Sequence, residues 1–294
     1  MEVLVAVATY RRPAGLLRLL KSLDGDAGRF DVLVVDNDAE RSAWSTVADG
    51  EFRRRPVYVV EPEPGIAPAR NRALSYAISQ DYTALVFVDD DEVVVRGWFE
   101  ALSSAMISLS ADVVCGPVIA AYEDGVARWA RKGGFFERPR QATGTVPRWP
   151  ATNNVIIRIT DEIRLGTVSF RLQYSMTGGE DTDFFMELKR LGSRLAWCDE
   201  AAVVEYVPAP RASARWLWRR GMRLGNVTTR RMSRAGFGWA AVPVGLLRVA
   251  LAIPLAVLKS LLRGSRGIGE LMHLPKGIGM LQAAFGGKTV EYGR

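Results

Sequence analysis

The chain has 294 residues, 48% of them hydrophobic and 24% charged, a composition that excludes a disordered or fibrous protein and allows one large domain or a main domain with an appendage. Its formal charge of +7 is unevenly placed: between positions 206 and 269 there is no Asp or Glu but twelve basic residues. A basic, apolar tail therefore joins a mildly acidic body, and the partners to weigh are anionic lipid and nucleic acid.

Cys115 and Cys198 fit no metal or redox spacing, which points to a reducing compartment. The first eight residues lack a basic leader and read as a buried strand, not a signal peptide. Up to about residue 120 one rhythm repeats, with short β-branched runs at 3–8, 32–35, 57–60, 85–88 and 113–118 and helical stretches at 16–23, 67–79 and 98–109. Strand-helix alternation predicts an α/β fold with a parallel sheet covered on both faces. Ligands of such sheets bind beyond the carboxyl ends of the strands. Here those ends carry Thr9-Tyr10-Arg11-Arg12, Asp36-Asn37-Asp38, Glu61 and Asp89-Asp90-Asp91-Glu92.

From 121 to 205 the pattern loosens, with an apolar run at 155–159 and a helix expected over 183–191. This predicts a mixed, partly antiparallel extension. A basic helix is expected over 212–232, followed by an apolar stretch at 237–262 broken by Pro243, Arg248 and Pro254. The expected division is a catalytic domain over 1–205 and a helical region over 206–294.

Four adjacent carboxylates at 89–92 repel one another, and a fold has no need of them without a cation or a positive partner. At a strand end such residues can serve one divalent ion and a ribose hydroxyl, and the ion neutralises a diphosphate leaving group. A solvated acidic turn is the plainer alternative. Gly178-Gly179-Glu180-Asp181 gives the backbone room beside a ligand and places a carboxylate at a helix start, either as a general base or as a cap. In Gly65-Ile66-Ala67-Pro68-Ala69-Arg70-Asn71-Arg72-Ala73, two arginines in a first helical turn oppose the helix dipole, which an anion such as a diphosphate would justify.

Taken with Tyr10-Arg11-Arg12-Pro13, Asp36-Asn37-Asp38-Ala39-Glu40, Gly116-Pro117-Val118 and Gly179-Glu180-Asp181-Thr182-Asp183-Phe184-Phe185, these motifs resemble, in order and spacing over about residues 1–225, the family-two inverting glycosyltransferases of GT-A fold. Within that family they are most similar to the succinoglycan-type β-1,4-glucosyltransferases of exopolysaccharide biosynthesis. The resemblance implies that Thr9, Arg11 and Asp36 hold the uracil and ribose of a UDP-sugar and that Arg70 faces its diphosphate. It further implies that Asp89 and Asp90 approach ribose and donor sugar, that Asp91 binds Mg²⁺ or Mn²⁺, that Asp181 is the base and that Glu180 binds the acceptor. Many relatives carry a metal-binding histidine where this chain has Glu205-Tyr206-Val207-Pro208, so Glu205 is the expected replacement. The Gln-x-x-Arg-Trp motif of processive synthases is missing around Arg215-Trp216, which implies one sugar per encounter.

In the tail, Arg248, Lys259, Arg263 and Arg266 fall in one 60° sector at helical spacing and leave a broad apolar face. The expectation is peripheral or monotopic association with an anionic membrane surface at the cytoplasmic face of the inner membrane, where the acceptor is a polyprenyl-diphosphate-linked oligosaccharide. A helical subdomain packed on the body is the alternative. A sugar-nucleotide nucleotidyltransferase would need a glycine-rich, lysine-bearing phosphate loop after the first strand. A nucleic-acid module would leave the 89–92 carboxylates repelling phosphate, so no nucleic-acid partner is expected.

Overall fold

The computed structural model describes residues 1–147, 150–175 and 178–287, and within them the side chains of Arg263, Ser265 and Arg266 are excluded. The elements in chain order are β1 (Val3–Thr9), α1 (Pro13–Gly25), β2 (Asp31–Asp36), α2 (Trp44–Ala48), β3 (Val57–Val60), α3 (Ile66–Ser79), β4 (Ala84–Val88), β5 (Glu92–Val94), α4 (Trp98–Ser108), β6 (Val113–Cys115), β7 (Val118–Tyr122) and α5 (Arg128–Lys132). They continue with β8 (Asn154–Arg158), α6 (Asp161–Arg164), α7 (Glu180–Arg190), β9 (Leu195–Trp197), β10 (Val203–Val207), α8 (Ala214–Arg234), α9 (Ala241–Arg263) and α10 (His273–Ala284). Two compact units result, one of Met1–Ile119, Arg138–Ser175 and Gly179–Glu205, the other mainly of Ala120–Glu137 and the chain from Tyr206 onward.

The first unit is built on a seven-stranded sheet of order β3-β2-β1-β4-β8-β6-β9. Its runs of valine and leucine are buried on both faces. Val3, Val5 and Val7 of β1 enter the core beneath Leu16, Leu19, Leu20 and Leu23 of α1 and Trp98 and Leu102 of α4. Leu4 and Ala6 point the other way, toward Ala73 and Leu74 of α3 and Phe184 and Phe185 of α7. Each leucine so enclosed contributes about 1.5–3 kcal/mol. The expected parallel arrangement holds for β3-β2-β1-β4. Beyond β4 the run 155–159 enters as β8, antiparallel to both β4 and β6, and the run expected over 113–118 divides at Gly116-Pro117 into β6 and β7. A Cβ on Gly116 would meet the Asn154 amide nitrogen at 2.6 Å, and Asn154 donates to the Pro117 and Ala201 carbonyls, so the break in the strand is fixed by contacts with β8.

In the second unit α8, α9 and α10 pack together. α9 runs on through Pro254, which lies exposed. Most of its leucines face outward: Leu246, Leu247, Leu251, Leu258, Leu261 and Leu262 are exposed. Arg248 and Lys259 instead turn inward, to His273 and Glu270. The expected placing of Arg263 and Arg266 on the same stripe falls on side chains outside those described.

Candidate active site

The carboxyl ends of β1, β2 and β4 form the edge where the sequence gathers its polar motifs. Thr9 and Asp36 are register partners across β1 and β2. The Thr9 hydroxyl donates to Asp90 Oδ2 at 2.8 Å, tying the end of β1 to the acidic run after β4. Asp36 is fully buried, and its carboxylate accepts from the Ala43 and Asp38 amides and from the Tyr58 hydroxyl. Those bonds shape the loop after β2. Asn37 works alongside it, donating to the Glu61 and Glu63 carbonyls while accepting from the Gly65 amide.

Arg11 has a left-handed backbone, φ 53°, which sends Arg11 and Arg12 in different directions. Arg11 is exposed and reaches Asp38 at 2.8 Å, and its hydrogen bond holds the Asp38 carboxyl below the usual range. Arg12 reaches Asp90 at 3.1 Å and Asp91 at 3.2 Å with one nitrogen. Gly15 permits that reach, since a Cβ there would sit 2.6 Å from the Asp90 carbonyl oxygen. The sequence motif contains Arg12 without assigning it a role; the signal it does carry is a cation beside a helix N-terminus, which opposes the dipole as Arg70 and Arg72 do.

Arg70 and Glu180, 110 residues apart, meet inside the protein at 2.5 Å, and Arg70 also lies 3.9 Å from Asp89. Burial raises the Glu180 carboxyl, the neighbouring Asp181 adds to the rise, and Arg70 opposes it. Glu180 Oε2 is enclosed and, among the described residues, has no hydrogen-bond partner. Gly179, at φ 96°, turns the chain into α7, which starts at Glu180 and so includes the residues expected to precede it. Half-buried Asp181 accepts from the Thr182 amide at 2.6 Å. The path of contacts from Asp89 to Asp181 runs through Arg70 and Glu180.

Burial also raises Asp90, with Arg12 opposing and Asp91 adding. Asp89 keeps 43% of its side chain open to water; burial raises its carboxyl too, Arg70 opposes the rise, and Asp91, Asp90 and Glu205 add to it, with water contact screening part of the effect. Glu92 does not join the open edge. It is enclosed in β5, accepts from the Asp89 amide and from Asn153, and stands well above the usual range through burial and then the charges of Asp89 and Asp91. Across the antiparallel β5–β10 pair Glu92 faces Glu205, which is buried with Arg138 at 3.8 Å. The edge is thus a wall of carboxyls that neighbouring arginines only partly neutralise. Its hard oxygen donors suit Mg²⁺ or Mn²⁺, although among the described residues no three donors stand together as a metal set.

The chain matches the glycosyl transferase family 2 model over residues 4–161, more than half its length. It belongs to glycosyltransferase family 2. This family 2 glycosyltransferase is 37% identical over 267 residues to the succinoglycan biosynthesis protein ExoM of Rhizobium meliloti (strain 1021), covering 88% of this chain and 82% of ExoM. Among solved structures it resembles S. aureus TarS 1–349 in complex with UDP, with a TM-score of 0.57 at 17% identity over 96% of this chain and 92% of TarS 1–349. The complex of TarS 1–349 with UDP-GlcNAc gives the same TM-score at 15% identity, again over 96% and 92%. The fold is accordingly the GT-A type, an α/β fold on a mixed sheet.

Proposed function

We propose that this glycosyltransferase moves a hexose, with glucose the first choice, from a UDP-sugar onto a hydroxyl of a polyprenyl-diphosphate-linked oligosaccharide in exopolysaccharide biosynthesis. The observation that carries this reading is the acidic strand edge, where Thr9 holds Asp90 and Arg12 spans Asp90 and Asp91. The likeness to a succinoglycan biosynthesis protein supports the pathway, and the UDP held by TarS on the same fold supports the donor.

In this reading Thr9 and Arg11 border the uridine, and enclosed Asp36 acts on it by holding the loop that ends at Ala43. Arg70 faces the diphosphate while keeping part of its fork on Glu180, since a guanidinium offers five donors. Asp89 and Asp90 approach ribose and donor sugar. Asp181 takes the proton from the acceptor hydroxyl, whose oxygen attacks the anomeric carbon. The bond to UDP breaks in line, UDP leaves with the electron pair, and the configuration inverts. Glu180 orients the acceptor, and its unpartnered oxygen offers it an acceptor atom. Mg²⁺ or Mn²⁺, held by Asp91 with Glu205 and Asp89 on the same wall, would neutralise the departing diphosphate when bound.

In this reading residues 1–205, apart from Ala120–Glu137, which belong to the second unit, form the catalytic domain, and 206–294 are the part that meets the cytoplasmic face of the inner membrane. The 25 residues Gly238–Leu262 are long and apolar enough to cross a bilayer, but their cations turn inward and one flank of leucines faces out, which suits a helix lying in the interface.

Calorimetry of UDP binding with and without Mn²⁺ tests the site. The wild type is expected to bind more tightly with Mn²⁺, Asp91→Asn to lose that gain, and Glu205→Ala to need more Mn²⁺ for half the gain. Full Mn²⁺ dependence in Asp91→Asn refutes the assignment. Product stereochemistry by NMR settles inversion.

A further inference from the structure

We propose that Arg248, Lys276 and Arg220 form a second binding site on the helical unit, one that takes a phosphate or diphosphate group. It deepens the proposed acceptor, and that reading bears only on where the phosphate comes from; the anion site stands without it.

Each of three helices supplies one cation, Arg220 from α8, Arg248 from α9 and Lys276 from α10. Small residues beside them draw the helices close. A Cβ on Gly277 would lie 3.1 Å from the Arg248 Cβ and 2.6 Å from the Gly245 carbonyl oxygen, and one on Gly221 would lie 2.5 Å from Pro275 Cγ. Positions 248 and 276 are therefore held near each other by close helix contact, and Arg220, one residue before Gly221, adds its charge from over the Phe136 and Trp216 rings.

Glu270 is the one acid in the sequence from 206 to 290, and both its oxygens are taken. Oε1 accepts from Lys259 at 2.5 Å and Oε2 lies 3.1 Å from His273 Nε2. His273 Nδ1 accepts in turn from Arg248 Nη1 at 2.9 Å. That bond fixes a neutral imidazole, in keeping with a pKa that burial and then Arg248 hold below the ordinary value. Arg248 is thus satisfied at one nitrogen by a neutral ring, while its Nε is buried without a partner among the described residues. Among the described residues the Lys276 ammonium has neither hydrogen bond nor ion pair, and burial, then Arg248 and Arg220, lower its pKa, with Glu270 opposing. A fold gains nothing by bringing three cations from three helices to one packed interface while its one nearby acid is engaged by Lys259 and His273. A phosphate dianion between them would complete the Arg248 donors and cancel the repulsion. Arg248 and Lys276 are both partly open to water, so an anion can reach them.

The test uses the full chain in EDTA, because without a divalent ion the acidic strand edge repels a bare diphosphate. Pyrophosphate and farnesyl diphosphate, the latter below its micelle concentration, are titrated by calorimetry and thermal shift. The wild type should bind saturably and gain thermal stability. Lys276→Gln should lose at least tenfold in affinity yet melt higher than the wild type when empty, since it removes repulsion; a structural lysine would melt lower. Lys276→Arg should keep binding. Tighter binding of the prenyl compound assigns the site to a lipid headgroup, and equal binding assigns it to a free anion. Wild-type affinity in Lys276→Gln, or no saturable binding by the wild type, overturns the proposal. Donor hydrolysis with Mn²⁺ is measured on the same proteins; its loss throughout would refute the proposed reaction and leave the anion result intact.

Discussion

Arg12 carries much of the electrostatics of the strand edge, because it is in contact with both Asp90 and Asp91. Burial already raises Asp90, and Arg12 opposes that rise; Arg12→Gln should let it climb further. An acid raised in the folded state costs no stability below its unfolded pKa. The cost grows as pH rises toward the folded value. Arg12→Gln should therefore melt close to wild type near pH 4 and progressively lower toward pH 8, and a pH-independent loss would show that Arg12 acts through packing alone. Asp181 calls for a kinetic reading. Asp181→Asn should lower turnover by roughly 10²-fold or more with UDP affinity nearly unchanged, as loss of a general base does; an equal loss of UDP affinity would make it a structural cap. At this scale the acidic run and the Gly179 turn were legible because carboxylates after an apolar strand have few structural uses. The Arg70–Glu180 bond was not, because no local pattern links residues 110 apart.

Elements were legible where burial is two-sided. The valine runs of β1, β2 and β4 have no solvent face, so composition alone marks them. β5, β9 and α10 went unread for opposite reasons. β5 and β9 have three residues each, too few for a period, and β5 hides a buried glutamate. α10 contains Pro275, Gly277 and Gly279 within 12 residues, a content that reads as loop. Those glycines are interface residues: a Cβ on Gly225 would collide with the Lys276 carbonyl, and one on Gly279 with the Met222 carbonyl. Replacing a helical glycine by alanine ordinarily gains about 1 kcal/mol. Here backbone meets backbone and neither helix can yield at a side chain, so Gly225→Ala should lose about 1–3 kcal/mol by overpacking. Urea denaturation followed by circular dichroism reads the sign, and a more stable variant would mean that α8 and α10 lie further apart than described.

For the molecule as a whole, the unevenness of charge along the sequence acquires a physical setting in the helical unit. Arg215, Arg219 and Arg234 lie exposed on α8, and an anionic bilayer attracts well-placed cations by about 1 kcal/mol each. The apolar flank of α9 acts differently. Leu246, Leu247, Leu251, Ile253, Val257, Leu258, Leu261 and Leu262 are each between 39% and 80% exposed. Half-immersion of a side chain of this kind contributes about 1 kcal/mol, so the apolar part outweighs the electrostatic part and survives salt, which screens the latter. Full-length protein should float with vesicles containing anionic lipid at low salt and remain largely bound at about 1 M salt, where the Debye length is about 3 Å. A variant carrying Leu247→Glu, Leu258→Glu and Leu261→Glu should leave the fold intact, because those side chains are exposed, and should stay in the soluble fraction. It should hydrolyse UDP-sugar with Mn²⁺ as the wild type does while transferring poorly to a lipid-linked acceptor in vesicles, since under the proposed function membrane binding raises the local concentration of acceptor. Wild-type protein that remains soluble with anionic vesicles at low salt would refute the membrane reading, and the leucine flank would then need a protein partner to cover it.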